Sequence, residues 1–253
     1  MAGQAPGPAD LAALAERCLD RNRHPLCGKA DVVNALGWAN AYSSYLEIAT
    51  PTSGGRFMAV CGRQFVHRRR ALYNAPADYA DGLPVHHRQE GAEGARVLQP
   101  LVESGERFDV VFLDPYHTYA ASSLDLHVAL QLLRPGGVIV VHDCNPPDPA
   151  LTCPEFRPGE WMGQTYLAFL DLLSRCPHLD HCVVNTDWGV GLIWHAEAPS
   201  PRRFAGLPPR PGLGGMDVSD WRVFCLHRKH LLRLITVRRF LRVFAGVRLP
   251  HPG

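Results

Sequence analysis

Two short apolar runs near the middle of the chain, residues 110–113 and 138–141, each stop on polar residues. Asp114 follows the first; His142 and Asp143 follow the second. Between them Leu124, Val128 and Leu132 recur at helical spacing, and Arg134-Pro135-Gly136-Gly137 ends that periodicity. The pattern predicts strand, crossover helix and parallel strand. In an open α/β sheet such strands deliver their last residues to one edge, where ligands bind. Asp114, His117, His142 and Asp143 are therefore expected together at that edge.

The pattern elsewhere extends this unit. Asp10 can cap a helix running to about Asn22, with Leu11, Leu14 and Cys18 on one face. A second helix is predicted over residues 30–43, leading into an apolar first strand at 45–49. That strand breaks at Thr50-Pro51-Thr52-Ser53-Gly54-Gly55, a small-residue turn that lets a ligand approach the backbone. A short helix is predicted at 55–61, a second strand at 64–68 ending near His67, a third at 84–88, and a helix at 97–104. A proline-rich loop, 146–158, precedes a strong helix at 160–175. Residues 181–186 and 190–195 read as a hairpin around Asp187-Trp188-Gly189. The fold expected is α/β: a Rossmann-like, doubly wound, mostly parallel sheet with a C-terminal antiparallel hairpin, flanked by helices. The organisation expected is an N-terminal helical extension (1–44), a core (45–197), and a Pro/Gly linker with a basic helical region (198–253).

Composition narrows this picture. With 253 residues, 46% of them hydrophobic, the chain has enough apolar material for a sizeable core. No run of about 18 apolar residues is present, and the N-terminus carries no secretory pattern. The eight cysteines form no CxxC pair, which fits reduced thiols and a cytoplasmic location better than a zinc or disulfide scaffold. Charge is segregated: from Trp221 onward there are eight basic residues and no acid, leaving 18 basic and 24 acidic before it. In this tail Val237, Phe240, Leu241 and Phe244 form an apolar stripe opposite Arg238, Arg239 and Arg242. The expectation is docking on the body with the arginines solvated; pairing in a homo-oligomer and peripheral contact with an anionic membrane are the alternatives. No aromatic-basic module points to nucleic acid.

The stretches YLEIATPTSGG, FDVVFLDPYHTY, LLRPGGVIVVHDCNPP, GEWMGQTYLAFLDL and NTDWGVGLIW, in this order, resemble class I S-adenosylmethionine-dependent methyltransferases. The resemblance is to a bacterial branch of small-molecule and sugar O-methyltransferase-like proteins. It implies S-adenosyl-L-methionine as cofactor and a small-molecule acceptor. Glu47 and the turn containing Ala49, Thr50, Gly54 and Gly55 would hold the methionine portion, His67 would face the ribose, and Asp114 would complete the cofactor site. Two positions depart from the family pattern. Ala49 replaces a glycine and His67 stands for an acid, which leaves a non-catalytic binding or assembly protein as the alternative.

The same resemblance implies catalytic roles. Some relatives bind magnesium through carboxylates at these two strand ends and use a nearby histidine as base. Asp114 and Asp143 are then metal candidates for Mg2+, His117 the preferred base and His142 the reserve.

Overall fold

The computed structural model describes residues 8–19, 27–51, 56–60, 62–91, 95–197, 207, 211–212 and 216–247. Two helices, α1 (Pro8–Leu19) and α2 (Lys29–Asn40), precede β1 (Ser44–Ala49). A short α3 (Arg56–Ala59), β2 (His67–Leu72), β3 (His87–Arg88) and α4 (Gln99–Glu103) follow. The central unit is β4 (Phe108–Asp114), α5 (Tyr119–Leu132) and β5 (Leu133–Val141). Then come α6 (Thr165–Arg175), the hairpin β6 (Leu179–Val184) and β7 (Val190–His195), α7 (Trp221–Leu231), β8 (Leu234–Ile235) and α8 (Val237–Val243).

The strands form one sheet in the order β3-β2-β1-β4-β5-β7-β6-β8. Strands β3 to β5 run parallel; β7 is antiparallel to both β5 and β6. This is the doubly wound sheet with a terminal antiparallel hairpin that the hydrophobic pattern predicts. Its direction of winding reverses between β1 and β4, where Ala49 lies beside Asp114. Such a reversal opens a crevice at the carboxyl ends of the strands.

Helices cover both faces. Val110 and Phe112 of β4 pack with Val32 and Leu36 of α2; Val111 and Leu113 pack with Leu126 of α5 and Phe169 of α6. Burial on both faces explains why these strands read as continuous apolar runs. No helix among the described residues is long and apolar enough to cross a membrane.

The second strand differs from expectation. It starts at His67 instead of ending there, because HRRRAL, not QFVHR, carries the ladder. Its arginines enter the sheet by pairing and stacking. Arg68 lies 4.8 Å from the centre of the Phe57 ring, and buried Arg70 reaches Glu47 at 3.4 Å and Asp81 at 2.6 Å. Paired guanidinium groups can occupy positions that hydropathy assigns to a loop.

The tail also differs in detail. The basic region is two helices, interrupted where Arg233 takes φ +45° and β8 adds parallel to β6. The Thr236 hydroxyl accepts a hydrogen bond from the Arg239 amide and starts α8. Phe240, Leu241 and Phe244 are buried in the core that α1 and α2 share, with Val237 packed against it.

Candidate active site

A cavity of about 820 Å³ opens at the carboxyl ends of β1, β4 and β5. Its floor is a cluster of charged side chains brought from five segments. Asp114 ends β4, and the His142 amide extends the β5 ladder by donating to the Leu113 carbonyl at 2.9 Å. Asp143 follows with φ +59°, a conformation uncommon for any residue but glycine that turns the chain away from the sheet.

His117 sits in the loop before α5. Its Nδ1–H donates to the Trp161 carbonyl at 2.6 Å, leaving Nε2 3.1 Å from Asp143 Oδ2 and 3.4 Å from Asp114 Oδ1. The backbone behind it is fixed. Gln164 donates its amide to the His117 carbonyl at 2.7 Å, and a Cβ on Gly163 would lie 2.0 Å from that oxygen. Only glycine fits there, and Gly163 also has φ +53°. The resulting turn is why α6 begins at Thr165, five residues after the predicted start.

His142 lies deeper. Its Nδ1 is 3.4 Å from Asp114 and 3.2 Å from Asp143, while Nε2 faces Asp187 at 3.4 Å. Asp187 belongs to the hairpin turn, which Gly189 locks against the end of β5. Cys144 donates its amide to the Gly189 carbonyl at 3.0 Å, and Asn145 donates to the Trp188 carbonyl at 2.9 Å.

Lys29, the first residue of α2, enters from the other side. Its Nζ donates to Asp114 Oδ2 at 2.5 Å and lies 3.2 Å from His142 Nδ1; its amide donates to Asp187 Oδ2 at 2.8 Å. Both Lys29 and Asp114 are buried. The α2 N-terminus is thus tied to β4 and to the hairpin at once.

Charge balance follows from these contacts. Burial disfavours the Asp114 carboxylate, but His142 and Lys29 outweigh it and hold its pKa well below the ordinary range. Burial would also neutralise the imidazoles. Asp143 and Asp114 prevail at His142 and raise it well above its ordinary value; Asp114 and Asp143 raise His117. Burial likewise opposes ionised Asp187, yet His142 brings it down to about 2. Asp114 and Asp187 are thus held toward their carboxylate forms, and His117 and His142 toward their imidazolium forms.

One oxygen or nitrogen each from Asp114, His117 and Asp143 lies within 4.8 Å of the others, a spacing able to hold a metal ion. The donors fit. Carboxylate oxygens suit magnesium, and an imidazole whose Nδ1–H is anchored on a carbonyl presents Nε2 as an oriented ligand. A second such group among the described residues is Cys18, Cys27 and Asp31. There Asp31 is already engaged by Arg17 and by the Gly28 amide.

The other predicted residues divide. Thr50 lines the cavity. Glu47 does not: it is buried beside Tyr45, whose hydroxyl donates to it at 2.9 Å, and burial raises its pKa to about 7. Ala49 is buried between Leu72 and Asp114 in the sheet. Gly54 and Gly55 lie outside the described residues. His67 is at the opposite edge, 2.7 Å from Glu106, since it opens β2. The residue that follows the carboxyl end of β2 into the cavity wall is Asn74, with φ +52°.

Lys29 and Asn74 carry no motif signal. Lys29 is 85 residues from Asp114 and 158 from Asp187, so no local spacing links them. The signal for Asn74 was the apolar Ala71-Leu72-Tyr73 before it, masked by three arginines. The outer wall is aromatic. Tyr116, Phe156 and Trp161 contact one another with ring centroids 5.3–6.0 Å apart, and Trp188, which lines the same cavity, stands 6.2 Å from the His142 ring.

Residues 37–144, from α2 through the end of β5, match the family model of a methyltransferase domain. No curated protein matches the chain. Among solved structures, one described as an O-methyltransferase of Klebsiella pneumoniae is 20% identical over 75% of this chain and 91% of its own, with a TM-score of 0.45. An O-methyltransferase from Bacillus cereus in complex with SAH is 19% identical over 74% and 90%, with a TM-score of 0.43. The O-methyltransferase TomG from Streptomyces achromogenes, in complex with SAM, is 18% identical over 73% and 88%, with a TM-score of 0.43.

Proposed function

We propose that this chain, whose residues 37–144 match a methyltransferase domain, transfers a methyl group from S-adenosylmethionine to an oxygen of a small metabolite or sugar. The observation that carries the reading is the position of the histidine–carboxylate cluster on the floor of the cavity at the sheet's winding reversal. The cofactor supplies an electrophilic methyl on a sulfonium.

In this reading the cofactor lies over the ends of β1 and β2. Thr50 lines that part of the cavity, and Asn74 offers its side-chain amide to the ribose hydroxyls as donor and acceptor. Tyr79 and Pro76 supply apolar wall beside it. The acceptor occupies the remaining space under Tyr116, Phe156 and Trp161, which keep water from the reacting oxygen and receive an apolar ring or sugar face.

A hydroxyl attacks poorly until its proton leaves. His117 is the proposed base: its Nδ1–H is committed to the Trp161 carbonyl, so Nε2 is the nitrogen that takes the proton. Asp143 and Asp114 then hold the imidazolium that forms. His142 is buried, with Asp143, Asp114 and Asp187 around it, and serves to space the carboxylates. A divalent ion would be held by Asp114, Asp143 and His117. It would supply Lewis acidity toward the acceptor hydroxyl. When such an ion takes His117 Nε2, the base role passes to another group, so the two uses of His117 exclude one another.

The test is calorimetric titration with S-adenosylhomocysteine, followed by a turnover screen over hydroxylated acceptors with and without chelator. Micromolar cofactor binding with methyl transfer to oxygen supports the reading. Failure to bind at millimolar concentration, about 4 kcal/mol of affinity, leaves the non-catalytic alternative. Chelator sensitivity assigns the cluster to the ion, and insensitivity assigns it to His117.

A further inference from the structure

We propose that Lys29 is the resident cation of this cluster, holding Asp114 in competition with any divalent ion. The inference rests on the reading above only in taking the cluster as an ion site, and its test needs no acceptor.

The geometry gives the competition its form. Asp114 has two oxygens. Oδ2 accepts from Lys29 Nζ at 2.5 Å; Oδ1 is the one turned toward His117 and His142, at 3.4 Å from each. An ion held by Asp114, Asp143 and His117 must draw on a carboxylate already bound to an ammonium. Removal of Lys29 takes away its bond to Oδ2 and one positive charge.

The ammonium cannot easily step aside. Its side chain is 6% exposed, and its backbone is pinned by the Asp187 carboxylate. The preceding residue but one, Cys27, has its carbonyl bound by the Thr186 hydroxyl. A flexible surface lysine could swing into water when an ion arrives. This one has its stem fixed at the start of α2, with its charge inside the protein.

The groups facing Lys29 make its role electrostatic and local. Asp114 and His142 face its ammonium, Asp187 its amide, and Asp143 lies 3.2 Å from the same His142 Nδ1 that the ammonium approaches. Lys29 places a fixed positive charge against Asp114, at the start of a helix tied to Asp187. With a neutral residue there, that charge is gone, and an entering cation takes its place beside the carboxylate.

The experiment is a Mn2+ titration followed by electron paramagnetic resonance, on the full chain and its Lys29→Met and Lys29→Arg variants. Thermal melting with and without MnCl2 accompanies it. Lys29→Met should bind Mn2+ at least tenfold more tightly than the parent, and should gain more melting temperature from Mn2+ than the parent does. Lys29→Arg, which retains the charge, should resemble the parent. Adding Asp143→Asn to Lys29→Met should remove the gain, placing the ion in this cluster. If Lys29→Met is too unstable without metal, rescue of its melting transition by Mn2+ supports the proposal, and absence of rescue overturns it. Equal affinity in parent and Lys29→Met overturns the competition while leaving the ion site. Absence of binding in all variants overturns both. Titration with S-adenosylhomocysteine on the same samples shows separately whether the cofactor reading stands.

Discussion

Two histidine–carboxylate contacts sit at opposite edges of one sheet. His67 meets Glu106 at 2.7 Å at the amino edge; His117 meets Asp143 at 3.1 Å at the carboxyl edge. By distance the first is the stronger. Their surroundings reverse the order. The His67 and Glu106 side chains are 41% and 26% exposed, those of His117 and Asp143 18% and 1%. Water screens the first pair, whereas the second works in a low-dielectric interior among further charges. Burial and convergence, more than bond length, separate a site from a surface contact.

The largest effect expected from this contrast is on turnover. Once an acceptor is identified, His117→Ala should lower turnover by roughly 10²–10⁴-fold with S-adenosylhomocysteine affinity nearly unchanged. Asp143→Asn should also impair turnover, because the imidazolium loses its nearest anion. Near-normal turnover in folded His117→Ala, checked by circular dichroism, would erase the distinction between the edges as far as proton transfer is concerned.

A titration sharpens the same contrast. The raised pKa of His117 means that its neutral form, the one able to accept a proton, emerges only above the ordinary histidine value of about 6.5. Turnover should therefore rise with pH through that raised value. Stability should run the other way. The contribution of charged His117 is fully present below about pH 6.5 and is lost as pH rises through the folded-state pKa. Melting curves across pH should show the gap between parent and His117→Ala narrowing as pH rises. A gap independent of pH would mean that His117 stabilises by packing alone.

A smaller effect is expected at the cofactor end. Asn74→Ala should weaken S-adenosylhomocysteine binding about tenfold, near 1.4 kcal/mol, measured by calorimetry, while His67→Ala should leave it unchanged. The reverse result would return the ribose to His67. The smallest effect is at the amino edge itself. Glu106→Gln should change stability by about 0–1 kcal/mol in denaturant melts, and turnover not at all.

The sequence pattern made the central unit legible because its strands are apolar on both faces and its polar residues come at the ends. Asp114, His117, His142 and Asp143 are brought together for that reason. The hairpin was equally plain, since Asp187-Trp188-Gly189 interrupts two apolar runs. What escaped was β2, whose arginines are carried into the sheet by Phe57, Glu47 and Asp81. With β2 displaced, the expected ribose residue was His67, although Asn74 is the one that lines the cavity. Lys29 escaped for another reason. It is a charged residue at the head of an N-terminal helix, and only the folded sheet shows that its ammonium points inward.

The span of its contacts has a consequence in time. Lys29 meets a partner 85 residues away in Asp114 and another 158 residues away in Asp187. At translation rates of about 5–20 residues per second, roughly 8–30 seconds separate the synthesis of Lys29 from that of Asp187. During that interval the central strands have no hairpin beside them, and the Lys29 amide lacks its Asp187 acceptor. The floor of the cavity is therefore among the last parts of the molecule to close. A nascent chain halted before residue 187 would carry all of residues 37–144, the segment that matches the methyltransferase model, without the turn that holds the head of α2.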